Sequence, residues 1–218
     1  MISKNKEKNK NIKSIITILF IIFILTFIIQ TIIKTPSNQR EWNKDQKILS
    51  NVKFHTDNTN LITIYNIRNI SYKNETEFKV SHYNKTININ DLERLDYLLE
   101  RFSDHKGIAH TMLTFGFKDN SQIAISIEIR KEIGESYSPL KGLFNEYETM
   151  YVIGDETDLI NLRTNHRNDP TFLYPIKISN KSLQKLFIAM LEKTNKLYTK
   201  PEFYNTLTST CLLYTSDA

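Results

Sequence analysis

The sequence predicts a domain of the α+β class that follows a membrane-spanning segment. Three observations support this fold class. Residues 14–33 contain no charged side chain, residues 108–129 contain two runs rich in β-branched and aromatic residues, and residues 179–197 carry apolar side chains at helical spacing. The strands and helices do not follow the strict βαβ order of a parallel sheet. A chain of 218 residues has room for one such domain.

The positive charge is concentrated at the N-terminus. Residues 1–13 hold five lysines and one glutamate, which accounts for most of the formal net charge of +5. The rest of the chain is nearly neutral and lacks the basic surface of a nucleic-acid-binding protein. We therefore expect no nucleic-acid partner.

The apolar run is long enough to cross a bilayer, and the lysines before it favour a cytoplasmic N-terminus. A cleaved signal peptide is the alternative, but its apolar stretch is usually shorter and ends in small residues. We predict a cytoplasmic tail over 1–13, an uncleaved transmembrane signal anchor over 14–34 and a juxtamembrane connector over 35–60, with one short helix. The extracytoplasmic domain is then expected over 61–218.

The elements of the domain follow from local patterns. Extended chain is predicted over 61–67 and 72–83, and Asn90-Asp91 favours a capped amphipathic helix over 92–102 because Leu92, Leu95, Leu98 and Leu99 recur at helical spacing. The runs 108–117 and 122–129 predict a hairpin whose turn is 118–121. The remaining predictions are a strand at 147–153, a helix at 155–165, a strand at 171–178 and a helix from Ser179 or Asn180 through Leu197.

Two polar residues lie within the apolar hairpin. His110 and Glu128 lie at nearly the same distance from the turn, so an antiparallel hairpin would bring them side by side. The only cysteine, Cys211, follows about a hundred residues later, and a Cys-His-carboxylate group requires only that the three side chains meet in space. From spacing alone the other interpretation, a buried cysteine and a structural histidine, is the more frequent one.

Cofactor and metal chemistry have little support in the sequence. One cysteine excludes an intrachain disulfide and a CxxC zinc site, the histidines lack HxxxH or HExxH spacing, and no GxGxxG or GxxxxGK[ST] phosphate loop is present. We expect neither a metal nor a cofactor. After the second strand come Arg130 and Lys131, which fit a solvated edge or, alternatively, contacts to a phosphate.

Several blocks of the sequence together resemble one known family, the Lnb N-terminal periplasmic domain family of bacteria. The blocks are Trp42 with Asp45, Tyr65–Tyr72, Ile108–Phe117, Ile125–Glu132, Leu162–Asn165 and Pro201–Thr208 with Cys211. The resemblance implies a permuted papain-like (NlpC-type) fold with a central antiparallel sheet, in which the histidine strand precedes the cysteine. It also implies a single-pass protein of the bacterial inner membrane with a periplasmic domain.

The same resemblance implies an activity. Members of the family are proposed to be lipoprotein N-acyltransferases, with membrane phospholipid as acyl donor and lipoproteins as acceptors. Carried over to this sequence, Cys211 is the expected nucleophile, His110 the base and Glu128 its orienting partner, while Arg130 and Lys131 are expected to contact the lipid phosphate. The residues after Cys211 depart from the family pattern, so we expect the natural chain to continue past Ala218, and a chain that truly ends there to be inactive.

Two other functions fit the same residues. A cell-wall peptide hydrolase or amidase would use the same Cys-His pair with water as acceptor, and an anchored, non-catalytic binding domain would only bury the cysteine.

Overall fold

The chain divides into two compact units, residues 1–36 and residues 37–218. The computed structural model describes residues 13, 15–26, 33–74, 76–101, 109–138 and 141–205. In the first unit, residues 15–26 are helical and their side chains are exposed. Among the described residues, none of the helices has both the length and the apolar character needed to cross a membrane. The predicted anchor over 14–34 lies partly outside these residues and stays a prediction.

The second unit is built on a twisted sheet. Its strands are β1 Asn51–Phe54, β2 Leu61–Arg68, β5 His82–Asn88, β6 Leu92–Arg101, β7 Ala109–Phe117, β8 Gln122–Arg130, β9 Glu148–Gly154 and β10 Thr171–Pro175. Within the described residues they follow the order β1-β2-β9-β8-β7-β6-β10, and β5 also pairs with β2. Two short strands, β3 Ser71–Tyr72 and β4 Phe78–Lys79, form a separate pair. The α+β class is thereby confirmed.

The sheet is mixed, whereas the resemblance implied an antiparallel one. All neighbouring strands of the main sheet are antiparallel except β2 and β9, which meet in parallel at Arg68 and Gly154. Gly154 permits this close approach, because a Cβ atom there would lie 3.1 Å from the carbonyl oxygen of Arg68.

Residues 92–101 form a strand, so the predicted amphipathic helix at 92–102 is wrong. The register of β6 against β7 shifts between Leu92 and Arg94, and this bulge returns Leu92 and Leu95 to the same face of the sheet. Three-residue spacing in a bulged strand therefore looks like the period of a helix. Beyond the bulge the strand alternates normally, so that Leu98 packs on the opposite face.

Two helices cover the two faces of the sheet. Helix α1, Glu156–Asn161, continues into a π-helical turn, Leu162–His166, and helix α2 spans Asn180–Thr199. Ser179 caps α2 as predicted, because its side chain accepts a hydrogen bond from the backbone N–H of Ser182. On the α2 face Phe187 packs against Phe115 with ring centroids 4.7 Å apart. On the α1 face Leu159 packs with a smaller apolar cluster, Leu98, Met112, Ala124, Met150 and Val152.

A buried ion pair ties α1 to β2. Arg68 donates from Nε and Nη2 to the two carboxylate oxygens of Asp158, each at 2.9 Å, and Asp158 also accepts from the backbone N–H of Ile70 and from the Tyr72 hydroxyl. Asp158 is fully buried. A buried carboxylate needs several such partners to remain charged away from water.

Residues 37–49, which we call the strap, belong to the compact unit and not to a free connector. Trp42 is buried, and the guanidinium of Arg130 stacks on its ring at 4.1 Å. The Gln46 side chain hydrogen-bonds the backbone at Ile129 and Lys131. The domain thus begins near Ser37 instead of Leu61, since this polar segment is held by hydrogen bonds that its own sequence pattern does not reveal.

Candidate active site

The β7–β8 hairpin forms the base of the site. Its turn is tight because Asn120 adopts a left-handed conformation (φ 62°) and the Ser121 N–H is bound by the Asp119 carboxylate. The register pairs Met112 with Ser126. Alternation along both strands then turns Leu113 and Ile125 toward α2. The opposite, α1 face of the hairpin therefore carries His110, Ser126 and Glu128.

These three side chains form one hydrogen-bonded cluster. His110 Nε2 lies 2.7 Å from Ser126 Oγ and 3.2 Å from Glu128 Oε1, and Ser126 Oγ donates to the same carboxylate oxygen at 2.7 Å. The His110 and Glu128 side chains are 18% and 23% exposed, so the cluster is accessible from solvent. Nε2 of His110 is held, while Nδ1 has no hydrogen-bond partner among the described residues.

Arg163 holds the carboxylate from the other side. Its Nη2 donates to Glu128 Oε1 at 3.0 Å, its Nε donates to Glu100 Oε2 at 2.5 Å, and its Nη1 donates to the carbonyl of Leu159. Arg163 comes from the π-helical turn, and Glu100 lies on β6 directly beside His110. Both side chains are buried. The arrangement is a chain of contacting ionisable side chains, Glu100, Arg163, Glu128 and His110, on the α1 face of the sheet.

The electrostatics favour an ionised Glu128. Burial opposes its ionisation most strongly, but the charge and hydrogen bond of His110, the charge of Arg163 and the hydrogen bond from Ser126 outweigh burial and hold the pKa of Glu128 well below its ordinary value of 4.5. A carboxylate that stays charged orients an imidazole and stabilises its protonated form.

This low pKa predicts a pH-dependent contribution to stability. The contribution of Glu128 should be complete above its unfolded pKa and should decrease as the pH falls through its lower folded pKa. We expect the difference in free energy of unfolding between the native protein and Glu128→Gln to be constant near neutral pH and to shrink below about pH 4.5. Chemical denaturation at several pH values measures it.

Glu77→Gln is the matched control, because Glu77 is 61% exposed in a surface pair with Lys73 and should change stability by less than about 0.5 kcal/mol. A difference for Glu128→Gln that grows on acidification would contradict the ionised carboxylate.

Sequence reasoning predicted the central pair of this site. The expected proximity of His110 and Glu128 is confirmed by their contact. Cys211 lies outside the described residues, and its role stays a prediction. The proposed phosphate contact of Arg130 is wrong: its side chain is buried and donates to the carbonyls of Gln46 and Lys47 and to Asn38 of the strap.

Lys131, the other residue predicted to contact phosphate, is half-buried. Its backbone N–H donates to Gln46, and its carbonyl accepts from Asn43. The role of its side chain stays a prediction.

Three residues of the site, one in the cluster and two that extend it, are not assigned by the sequence analysis. Ser126 could have been found from the hairpin itself, because it lies two residues before Glu128 and therefore on the same face. Arg163 belongs to the Leu162–Asn165 block of the family resemblance, but no local pattern assigns its partner. Glu100 was placed on the incorrectly predicted helix, which hid its position beside His110.

The last described segment returns to this region. The Thr149 N–H donates to the Glu202 carbonyl and the Tyr204 N–H to the Tyr147 carbonyl, so residues 202–204 run beside the start of β9. Burial, with the nearby Tyr137 and the charge of Glu128, raises the pKa of Tyr204 to about 12. Tyr204 precedes Cys211 by seven residues.

No group of three or more histidine, cysteine, aspartate or glutamate side chains suited to a metal ion is found within the described parts of the chain. The described side chains of the site are a histidine, a serine hydroxyl and a carboxylate that Arg163 contacts.

Comparison with known protein families gives a match. Residues 79–216, well over half of the chain, match the family described as the Lnb N-terminal periplasmic domain, and this range includes the whole cluster and Cys211. No curated protein and no solved structure matches the chain. The family description supports an extracytoplasmic location for the domain. The chain belongs to the Lnb N-terminal periplasmic domain family.

Proposed function

We propose that the protein is a membrane-anchored, cysteine-dependent acyltransferase that transfers a fatty acyl chain from phospholipid to the α-amino group of lipoproteins. The observation that carries the proposal is the contact of His110 Nε2 with Ser126 and Glu128, which fixes one imidazole nitrogen and leaves Nδ1 for a reacting thiol. As the family resemblance implies, the domain would be a permuted papain-like (NlpC-type) fold, in which the histidine strand precedes Cys211.

In the first half of the reaction, His110 Nδ1 accepts the proton of the Cys211 thiol. The thiolate attacks the ester carbonyl of the phospholipid, a C–S bond forms, and the ester C–O bond breaks. The lysophospholipid alkoxide takes the proton from the imidazolium and leaves. Glu128, kept ionised by Arg163, stabilises the imidazolium between these two proton transfers.

In the second half, the free α-amino group of the lipoprotein attacks the thioester. The amine nitrogen gives a proton to His110, an amide C–N bond forms, and the C–S bond breaks. The imidazolium then returns its proton to the departing thiolate, which restores the starting enzyme. No redox partner or metal is required for either half.

The length of the chain is compatible with an approach of Cys211 to the cluster. Tyr204 is hydrogen-bonded to Tyr147 at the start of β9, the neighbour of β8, and seven further residues span at most about 25 Å. The charge-free run at 14–33 supports a single-pass anchor in the bacterial inner membrane with the N-terminus in the cytoplasm. Such an anchor would hold the domain beside both lipid substrates.

The test uses a reporter lipoprotein in cells that lack their own N-acyltransferase. Mass spectrometry of its N-terminal peptide should show a third acyl chain with the full-length protein and only two chains with Cys211→Ala. His55→Ala is the matched control and should still give the third acyl chain. His55 hydrogen-bonds Thr63 of β2 and takes no part in the cluster.

Two outcomes would contradict the proposal. A diacylated peptide with the intact protein would exclude lipoprotein N-acylation, and peptidoglycan fragments would then test the hydrolase alternative. A triacylated peptide with Cys211→Ala would exclude the thioester.

A further inference from the structure

The edge strand β10 exposes apolar side chains on both faces of the sheet. Phe172, Leu173, Tyr174 and Ile176 are 41%, 51%, 48% and 41% exposed, and we call these four residues the apolar edge. Among the described strands, β10 pairs only with β6, as the last strand of the sheet. Large apolar side chains clustered at one exposed edge usually indicate an interaction surface.

The chain that follows the apolar edge is basic. Residues 170–185 contain Lys177, Lys181 and Lys185 and no carboxylate. Lys177 directly follows the apolar edge and Lys181 lies in the first turn of α2, and both are exposed. Exposed aromatic and aliphatic side chains next to lysines are typical of protein segments that lie at a lipid–water interface.

The backbone of this edge is poorly suited to adding another strand. β10 is only five residues long; Pro170 precedes it and Pro175 is its last residue, and both lack the N–H that a partner strand would require. The side chains, and not the backbone, therefore form the contact surface. This favours a lipid surface over pairing with a second copy of the chain.

We propose that the apolar edge lies in the headgroup region of an anionic bilayer, with its aromatic and aliphatic side chains at the acyl boundary and the lysines at lipid phosphates. The proposal deepens the proposed function, on which it rests for the identity of the substrate. Thr171 pairs with Glu100, and Glu100 pairs with His110. His110 on β7 is therefore two strand spacings, about 10 Å, from β10. If the apolar edge lies in the bilayer, the base would lie beside its lipid substrate.

Fluorescence quenching by brominated lipid tests this contact in the full-length protein. Tyr174→Trp adds a reporter at the edge, where the native side chain is already exposed and aromatic, while the single native tryptophan, Trp42, is buried. In vesicles of brominated phosphatidylcholine and phosphatidylglycerol we expect the added indole to lose about half of its emission, because an interfacial side chain lies within about 10 Å of the acyl chains.

Phe54→Trp is the matched control. Phe54 is also exposed, but it lies on β1, at the other end of the sheet order, and its indole should not be quenched. Adding Lys177→Gln and Lys181→Gln to Tyr174→Trp should weaken the contact with anionic vesicles roughly thirtyfold and reduce the quenching.

Equal quenching of the two tryptophans would overturn the proposal. The proposal would also be overturned if the emission of Tyr174→Trp changed with protein concentration but not with the brominated lipid. A second copy of the chain would then cover the apolar edge. If Lys177→Gln and Lys181→Gln leave the quenching of Tyr174→Trp unchanged, the role of anionic lipid in the contact is overturned. If Tyr174→Trp is quenched but the reporter lipoprotein stays diacylated in the acylation assay, the membrane contact is retained and only the proposed function is rejected.

Discussion

Replacing Arg163 with methionine is expected to lower the free energy of unfolding of the domain by about 3–5 kcal/mol. Arg163 donates to Glu100, Glu128 and the Leu159 carbonyl from a buried position. Without it, the Glu100 carboxylate stays buried with Arg167, 3.8 Å from its Oε1, as its nearest described cation. Methionine has a similar length, so the loss reflects the uncompensated charge more than a cavity. Urea unfolding followed by circular dichroism measures it.

The double variant Arg163→Met with Glu100→Gln separates charge from packing. Removing the buried charge as well should recover a large part of the lost stability, which a double-mutant cycle quantifies. Arg101→Met, at the exposed end of β6, is the surface control and should change stability by less than about 0.5 kcal/mol. A loss below about 1 kcal/mol in Arg163→Met would contradict the role assigned to this ion pair.

Replacing His110 with glutamine is expected to slow acyl transfer by about 10²–10⁴-fold while leaving the domain folded. A glutamine amide can still hydrogen-bond Ser126 or Glu128, but it cannot accept a proton from a thiol. The rate of formation of a hydroxylamine-sensitive acyl adduct on the full-length protein measures the effect. Thermal unfolding shows whether the cluster still packs.

His55→Gln is the control for this substitution, because it changes the same residue type outside the cluster and should leave the rate unchanged. An adduct that forms at the native rate in His110→Gln would remove His110 from the mechanism. A slow rate together with a lost thermal transition would instead indicate that His110 is structural.

Elements set by local sequence could be predicted. The 118–121 turn, the two strands beside it and the Ser179 cap depend on residues close in the chain, and the structure confirms them. The contact of His110 with Glu128 also follows, since hairpin register is fixed by the turn.

Features set by distant partners could not be predicted. The bulge after Leu92 changes the apparent period of β6, and only its pairing with β7 reveals it. The sequence pattern predicts an exposed Arg130, but the strap, more than eighty residues earlier, covers it with Trp42 and with backbone carbonyls. Arg163 likewise becomes a clamp only when the π-helical turn packs over Glu128.

The hairpin register also limits which changes of chain length the site can accept. Inserting or deleting one residue within β7 or β8, between the 118–121 turn and the cluster, would rotate His110 or Glu128 to the face that α2 covers. A change of two residues keeps the face but shifts the level of one partner by about 7 Å, which exceeds the reach of a hydrogen bond. Length variation in this hairpin is therefore compatible with the His110–Glu128 pair mainly at the turn itself.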